Sequence, residues 1–162
     1  MRFVVLGAGA IGGVVGGRLA EHGHDVVLVA RGDHGAAIAA DGLLVRSPDR
    51  EVRIDVPVVA HPDDLRFEAD DVVLLCVKGQ NTVSALADLR TAPGEVAIAC
   101  LQNGVDNERQ ALRRTPNVYG VPVVLPATYL QPGVVDASSA PITGILDVGR
   151  YPHGVDDRAE RM

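Results

Sequence analysis

The stretch RFVVLGAGAIGGVVGGRLAEHGHDVVLVA (2–30) constrains the fold more than any other part of the chain. Residues 2–7 are a short valine-rich run bounded by glycine, the pattern of a buried parallel strand. Residues 10–23 place Ile11, Val14, Val15, Arg18 and Leu19 at helical spacing, with Gly23 as a C-terminal cap. Residues 25–31 read as a second strand, and two parallel strands joined by a helix make a right-handed βαβ unit. Between the first strand and the helix lies Gly7-Ala8-Gly9-Ala10-Ile11-Gly12, which fits G-x-G-x-x-G in the strand–turn–helix context that dinucleotide binding requires. Gly7 permits the tight turn, Gly9 lets backbone amides approach a pyrophosphate, and Gly12 lets helix and strand pack closely. The helix N-terminus adds free N–H groups and a positive dipole end. The alternative is a glycine-rich packing turn with no ligand.

The same alternation continues downstream. Residues 33–42 predict a short helix ended by Gly42. Residues 43–47 and 51–60 predict strands in a hairpin excursion from the sheet. Residues 70–77, DDVVLLCV, predict a buried strand, 82–90 a helix, 95–101 another strand and 106–114 a charged helix. Residues 117–130 hold one more strand, interrupted by prolines, and 133–138 and 141–149 read as two antiparallel closing strands. The tail from Tyr151 is polar and has no core of its own. Strands alternating with helices give an α/β fold, Rossmann-type and doubly wound, with a mainly parallel sheet.

At 162 residues the chain is about one domain, and 47% apolar against 22% charged residues is ordinary for a globular protein. The net charge of −6 argues against nucleic acid or an anionic membrane surface as partner, while leaving room for a small anion at a locally positive site. The N-terminus has an early arginine and an apolar middle, as a secretory signal does. Its spaced glycines and its continuation into the second strand mark it as folded structure. Cys76 and Cys100 both fall in apolar strand-like runs, as small core residues or, less in keeping with the pattern, as a disulfide. With no disulfide framework, a reducing cytoplasm is the natural compartment. The five histidines (His22, His24, His34, His61 and His153) have no spacing that suits zinc, so no metal is expected.

Four segments end where an open α/β sheet binds ligands, beyond the carboxyl ends of its strands. The first is the glycine turn. The second is Ala30-Arg31-Gly32, at the point where an NAD-selective site carries an acid. A guanidinium there can instead take a 2′-phosphate through two hydrogen bonds, which favours NADP(H), unless Arg31 is a solvated loop residue paired with Asp33. The third is Lys78, the only lysine beside fourteen arginines. It stands one residue past a strand, a mobile point charge suited to phosphate or else a surface lysine. The fourth is Gln102-Asn103-Gly104, where Asn103 offers a donor and an acceptor near a nicotinamide ring or a carbonyl substrate, or forms a simple Asn-Gly turn.

These residues resemble the N-terminal domain of the ketopantoate reductase (2-dehydropantoate 2-reductase) family. The resemblance rests on VVLGAGAIGG, GHDVVLVARG, DVVLLCVKGQNT, LQNGVDNE and ATYLQPGVV, and covers Arg2 to about Gly149. It implies reduction of the ketone of 2-dehydropantoate by NADPH, giving pantoate on the route to pantothenate and coenzyme A. It further implies that Gly7 to Gly12 hold the pyrophosphate and that Arg31 and Lys78 handle the 2′-phosphate region. Asn103 would touch cofactor and substrate, and Ala127 would line the nicotinamide side. The family often has glutamine three positions after the lysine, where this chain has Asn81 with Gln80 beside it. The resemblance also implies a cofactor domain over 1–149, with 150–162 starting the connection to a helical second domain that this chain lacks. That second domain would supply the general-acid lysine, so the chain alone should bind NADPH yet turn over little or nothing, with no catalytic residue of its own. An apolar patch left uncovered by that domain would favour a homo-oligomer. The other readings are an NADP-dependent reductase of a different 2-oxo acid and a non-catalytic NADP(H)-binding module.

Overall fold

Valine-rich runs with little polar alternation must be covered on both faces, and the chain does this by winding helices to either side of one sheet. The structure is a computed structural model that describes all residues, 1–162. In chain order the elements are β1 (Arg2–Leu6), α1 (Ala10–Glu21), β2 (Asp25–Val29), α2 (Gly32–Asp41), β3 (Leu43–Arg46), β4 (Glu51–Ile54), β5 (Val58–Val59) and β6 (Asp71–Leu75). There follow α3 (Thr82–Ala87), β7 (Ala97–Cys100), α4 (Asn107–Ala111), β8 (Val118–Gly120), β9 (Val123–Val124), β10 (Ala127–Gln131), β11 (Val134–Ala137), β12 (Ile145–Leu146), β13 (Gly149–Arg150) and α5 (Asp157–Glu160). No helix is long and apolar enough to cross a membrane.

The central sheet has the order β13-β8-β7-β6-β1-β2-β5 and is parallel except for β13. Alternation along each strand splits its side chains between two cores. Phe3, Val5, Val26 and Leu28 face α1, whereas Val4, Leu6, Val27 and Val29 join Leu86, Leu89 and Ala111 on the other side. The strand order reverses between β1 and β6, so the crevice beyond their carboxyl ends is a topological switch point. At the opposite end of those two strands Arg2 grips buried Asp71 through two hydrogen bonds of 3.0 and 2.7 Å, locking their register.

A second sheet, β10-β11-β3-β4, covers the outer side of α1. Here the structure departs from the sequence reading. The hairpin β3–β4 forms, but the strand expected over 51–60 divides, and β5 leaves it to pair parallel with β2 at the edge of the central sheet. The hairpin's further partner is β11, which lies parallel to β3 and antiparallel to β10. Residues 133–138 therefore do not close the central sheet. Of the last segment, β12 pairs with β9 and only β13 reaches the central edge, antiparallel to β8. Residues 117–130 are three short strands rather than one, divided at Pro122 and Pro126, whose missing N–H groups interrupt pairing.

Two helices are shorter than their apolar patterns suggest, α3 stopping at Ala87 and α4 at Ala111. The tail differs more. Asp156 accepts hydrogen bonds from the Tyr119 hydroxyl (3.0 Å), Arg150 (2.8 Å) and the Ala159 amide (2.9 Å), capping α5 and seating Ala159 in the core. A single buried alanine on a four-residue helix leaves no periodic signal in a polar stretch.

Candidate functional site

The turn after β1 is built by contact with the end of β6. Gly7 has φ +102°, and a Cβ there would lie 2.8 Å from Val77 Cγ1 and 3.0 Å from Val77 N. Only glycine satisfies both the backbone angle and the space. Gly12 is forced by packing, since its Cβ would fall 2.1 Å from the Gly7 carbonyl oxygen. Gly9 is different. Its backbone is extended (φ −69°, ψ −153°), open to any residue, and a Cβ would meet nothing within 4 Å. No internal contact explains this glycine, and it caps α1 at the mouth of a cleft.

That cleft has two lobes meeting at Val77. The first, about 450 Å3, is floored by Leu6 to Gly9, with Val29, Ala30, Arg31 and His34 on one side and Asn81, Ser84, Ala85 and Asp88 on the other. The second, about 330 Å3, is lined by Ile11 and residues 76–80 on one side and by Leu101, Gln102, Asn103, Val123 and Leu125 on the other. Asn103 also borders a third cleft of about 650 Å3 beyond β7 and β8, into whose wall buried Glu108 is built with its Oε2 unpaired.

Most of the residues singled out in the sequence gather here. Gly7, Ala8, Gly9 and Arg31 line the first lobe; Ile11, Lys78 and Asn103 line the second. Gly12 lies under them in the packing of turn on helix, and Ala10 opens α1. Arg31 and Lys78 are thus in different lobes. Ala127 lines neither; it starts β10 half-buried against the core, between Leu125 of the second lobe and Tyr129 of the first. Arg31 pairs with Asp88 at 2.5 Å rather than with Asp33. Lys78 is exposed and takes part in no ion pair.

The two loops that carry Lys78 and Asn103 are tied together from below. Gln102 Nε2 donates to the Val77 carbonyl (2.6 Å) and the Thr82 hydroxyl (2.9 Å). Thr82 in turn donates to Asn107 Oδ1 (2.9 Å), and Asn107 Nδ2 donates to the Asn103 carbonyl (3.2 Å). With Thr82 and Asn107 buried, the chain of bonds is sheltered from water and holds the second lobe's rims at fixed separation.

His34 is the cleft residue that the sequence hid, since it reads there only as one of five histidines without a shared spacing. It lies buried in α2. The Gly133 amide donates to Nδ1 at 2.9 Å, so Nδ1 carries no proton and Nε2–H is left to donate to the Ala8 carbonyl at 2.7 Å. Its ring leans on Tyr129 with centroids 4.4 Å apart. Fixing the Ala8 carbonyl fixes the whole Ala8–Gly9 peptide, and in a trans peptide the Gly9 N–H then points the opposite way. Gly133 lies 99 positions from His34, and no local pattern could announce that bond.

Cys76 and Cys100 are free thiols. Burial pushes both up, Cys100 to about 12 with a further push from the Glu108 carboxylate. Neither suits a nucleophile. No three His, Cys, Asp or Glu side chains gather as a metal site would need.

A family model described as "Ketopantoate reductase PanE/ApbA" matches residues 3–152. The 2-dehydropantoate 2-reductase of Pyrococcus horikoshii is 31% identical over 162 residues, all of this chain and 52% of its own length. Among solved structures, the 2-dehydropantoate 2-reductase from Geobacter metallireducens superposes with a TM-score of 0.87 at 28% identity, over 99% of this chain and 53% of that one. A D-mandelate dehydrogenase in complex with NADH and anilino(oxo)acetate shares the fold, with a TM-score of 0.82 at 24% identity over 99% of this chain and 51% of its own. The chain spans about half the length of these relatives.

Proposed function

The chain belongs to the ketopantoate reductase PanE/ApbA family, and we propose that it binds NADPH along the two-lobed cleft as the cofactor half of a 2-dehydropantoate 2-reductase. The observation that carries this reading is Gly9, a glycine that the fold itself does not require, set at the N-terminus of α1 with open space where its side chain would be. A pyrophosphate needs that space and those amides. In this reading Gly7, Ala8, Gly9, Ala10, Ile11 and Gly12 form the phosphate turn, Arg31 takes the 2′-phosphate, and Lys78 adds a second positive charge from the other lobe. Asn103 meets the nicotinamide and the substrate carbonyl. NADPH bound there supplies the hydride. The chain's own part is to orient the cofactor and hold one side of the 2-oxo acid. None of its residues is assigned the proton transfer to the carbonyl oxygen. Residues 1–149 are the cofactor domain in this reading, and 150–162 lead towards a helical domain that carries the acid. The pathway is that of pantothenate, in the cytoplasm.

Titration of the chain with NADPH and NADH, followed by nucleotide fluorescence, tests the assignment. NADPH should bind at least about tenfold tighter, the worth of one charge-assisted pair. Arg31→Ala should erase that preference, and Lys78→Ala should weaken both nucleotides. Oxidation of NADPH by 2-dehydropantoate should be slow or undetectable with this chain alone. Absent binding, or equal binding of both nucleotides unaffected by Arg31→Ala, would overturn the reading.

A further inference from the structure

Asp88 stands across the first lobe from the glycine turn, at the end of α3, and its carboxylate is the group that Arg31 contacts. We propose that Asp88 sets the cofactor choice of this cleft, opposing a 2′-phosphate and tempering the NADPH preference that Arg31 confers. The proposal rests on the reading of the cleft as a dinucleotide site and adds a residue of opposite sign to it.

The geometry gives the reason. Arg31 is 64% exposed along its side chain, and its one ionic partner is Asp88 Oδ2 at 2.5 Å. The hydrogen bond from Arg31 holds the Asp88 carboxyl below its ordinary range against the opposing effect of burial, so the carboxylate is charged at neutral pH. Its other oxygen lies 3.6 Å from His61 Nε2, and that ring faces Asp63, which Arg90 already neutralises. A 2′-phosphate that recruits Arg31 must therefore displace a carboxylate and then sit beside it. A ribose 2′-hydroxyl meets no such cost and can donate to that carboxylate. In a dinucleotide site the acid that accepts from the ribose ordinarily follows the second strand. Here that position is Arg31, and the acid arrives from α3, more than fifty residues on.

The test compares wild type with Asp88→Asn, which keeps the size of the side chain, and with Asp88→Ala. Dissociation constants are measured for NADPH, NADH and 2′,5′-ADP, with thermal unfolding of each variant as a check on folding. Asp88→Asn should tighten NADPH and 2′,5′-ADP by about five- to tenfold, leave NADH within about twofold, and do so less at high salt, where a partly exposed charge is screened. An unchanged NADPH-to-NADH ratio, or a loss of NADPH affinity, would overturn the role of Asp88 while leaving the site intact. Failure of wild type to bind any of the three would remove the site and this inference with it. A structural role alone would lower the unfolding temperature and weaken both dinucleotides together.

Discussion

Gly9→Ala and Gly12→Ala place the same methyl group three residues apart in one turn, and the structure assigns them opposite consequences. At Gly12 the new Cβ would lie 2.1 Å from the Gly7 carbonyl oxygen and 2.9 Å from both Cys76 Cβ and Val5 Cγ1. The first neighbour is backbone in a turn whose own φ of +102° leaves little room to yield, so the helix must move off the sheet. Overpacking of this kind costs about 3 kcal/mol. In a chain of this size that lowers the midpoint of thermal unfolding by about 6–12 °C. At Gly9 the Cβ meets no atom within 4 Å and the backbone angles suit alanine. The expected change in stability is below about 1 kcal/mol, the usual difference between glycine and alanine at a helix N-cap. NADPH affinity should nevertheless fall by about two orders of magnitude, because the methyl fills the approach of the pyrophosphate to the amides of α1. Thermal unfolding by circular dichroism and nucleotide titration on both variants separate the two effects. A Gly9→Ala protein that unfolds near the wild-type temperature and still binds NADPH as tightly would refute the argument that this glycine serves a ligand.

His34→Ala removes two buried hydrogen bonds and should cost about 2–4 kcal/mol while also weakening NADPH, with His34→Asn recovering part of the stability; urea unfolding and titration report the two separately. Native Cys76 and Cys100 should resist thiol reagents at pH 8, where a thiol raised to about 12 is thiolate in only about one molecule in ten thousand, and both should react once denatured, as mass spectrometry after alkylation would show. Acid should destabilise the fold from the ordinary carboxylate range, about pH 4, downward. Asp88 is held low by Arg31 and Asp156 by the Ala159 amide, while Glu21 is held low by Arg18 and Arg50 against the effect of burial. Groups with depressed folded values stabilise fully above their unfolded values and lose that contribution as pH falls. The midpoint of urea unfolding should fall over that window, and less steeply in Asp156→Asn.

The middle of the central sheet was legible because β1, β2, β6 and β7 are buried on both faces and written as unbroken apolar runs, each followed by a helix. The site was legible for a related reason. In such a sheet the ligand edge is the carboxyl end of every strand, so Gly7, Arg31, Lys78 and Asn103 could be placed together without coordinates. What escaped the sequence are pairings at a distance. That β11 pairs with β3 and not with the central sheet depends on packing against α1, and its short run Val134-Val135-Asp136-Ala137 reads the same for either partner. Asp88 was hidden because a carboxylate at the end of a short helix has no mark of facing a lobe. The placement of Ala127 came from resemblance alone, and neither spacing nor chemistry bears on an alanine.

The second sheet also explains an excess in the glycine stretch. The dinucleotide motif needs Gly7, Gly9 and Gly12, yet α1 continues with Gly13, Gly16 and Gly17. A Cβ on Gly16 would strike Leu28 Cδ2 at 2.7 Å and Val5 Cγ2 at 2.9 Å, both on the central sheet. A Cβ on Gly13 would strike Val135 Cγ1 at 2.6 Å, and one on Gly17 would strike Val45 Cγ2 at 2.8 Å, both on the second sheet. Residues four apart share a face of a helix, so Gly12 and Gly16 clear one side and Gly13 and Gly17 the other. The helix is thinned on both sides because sheets press on both. Glycine in a helix interior costs up to about 1 kcal/mol per residue, and here the close contact on each side must offset it. One consequence reaches the site. The N-terminus of α1 is held in place by two sheets at once, so the amides beside Gly9 are fixed by the fold itself.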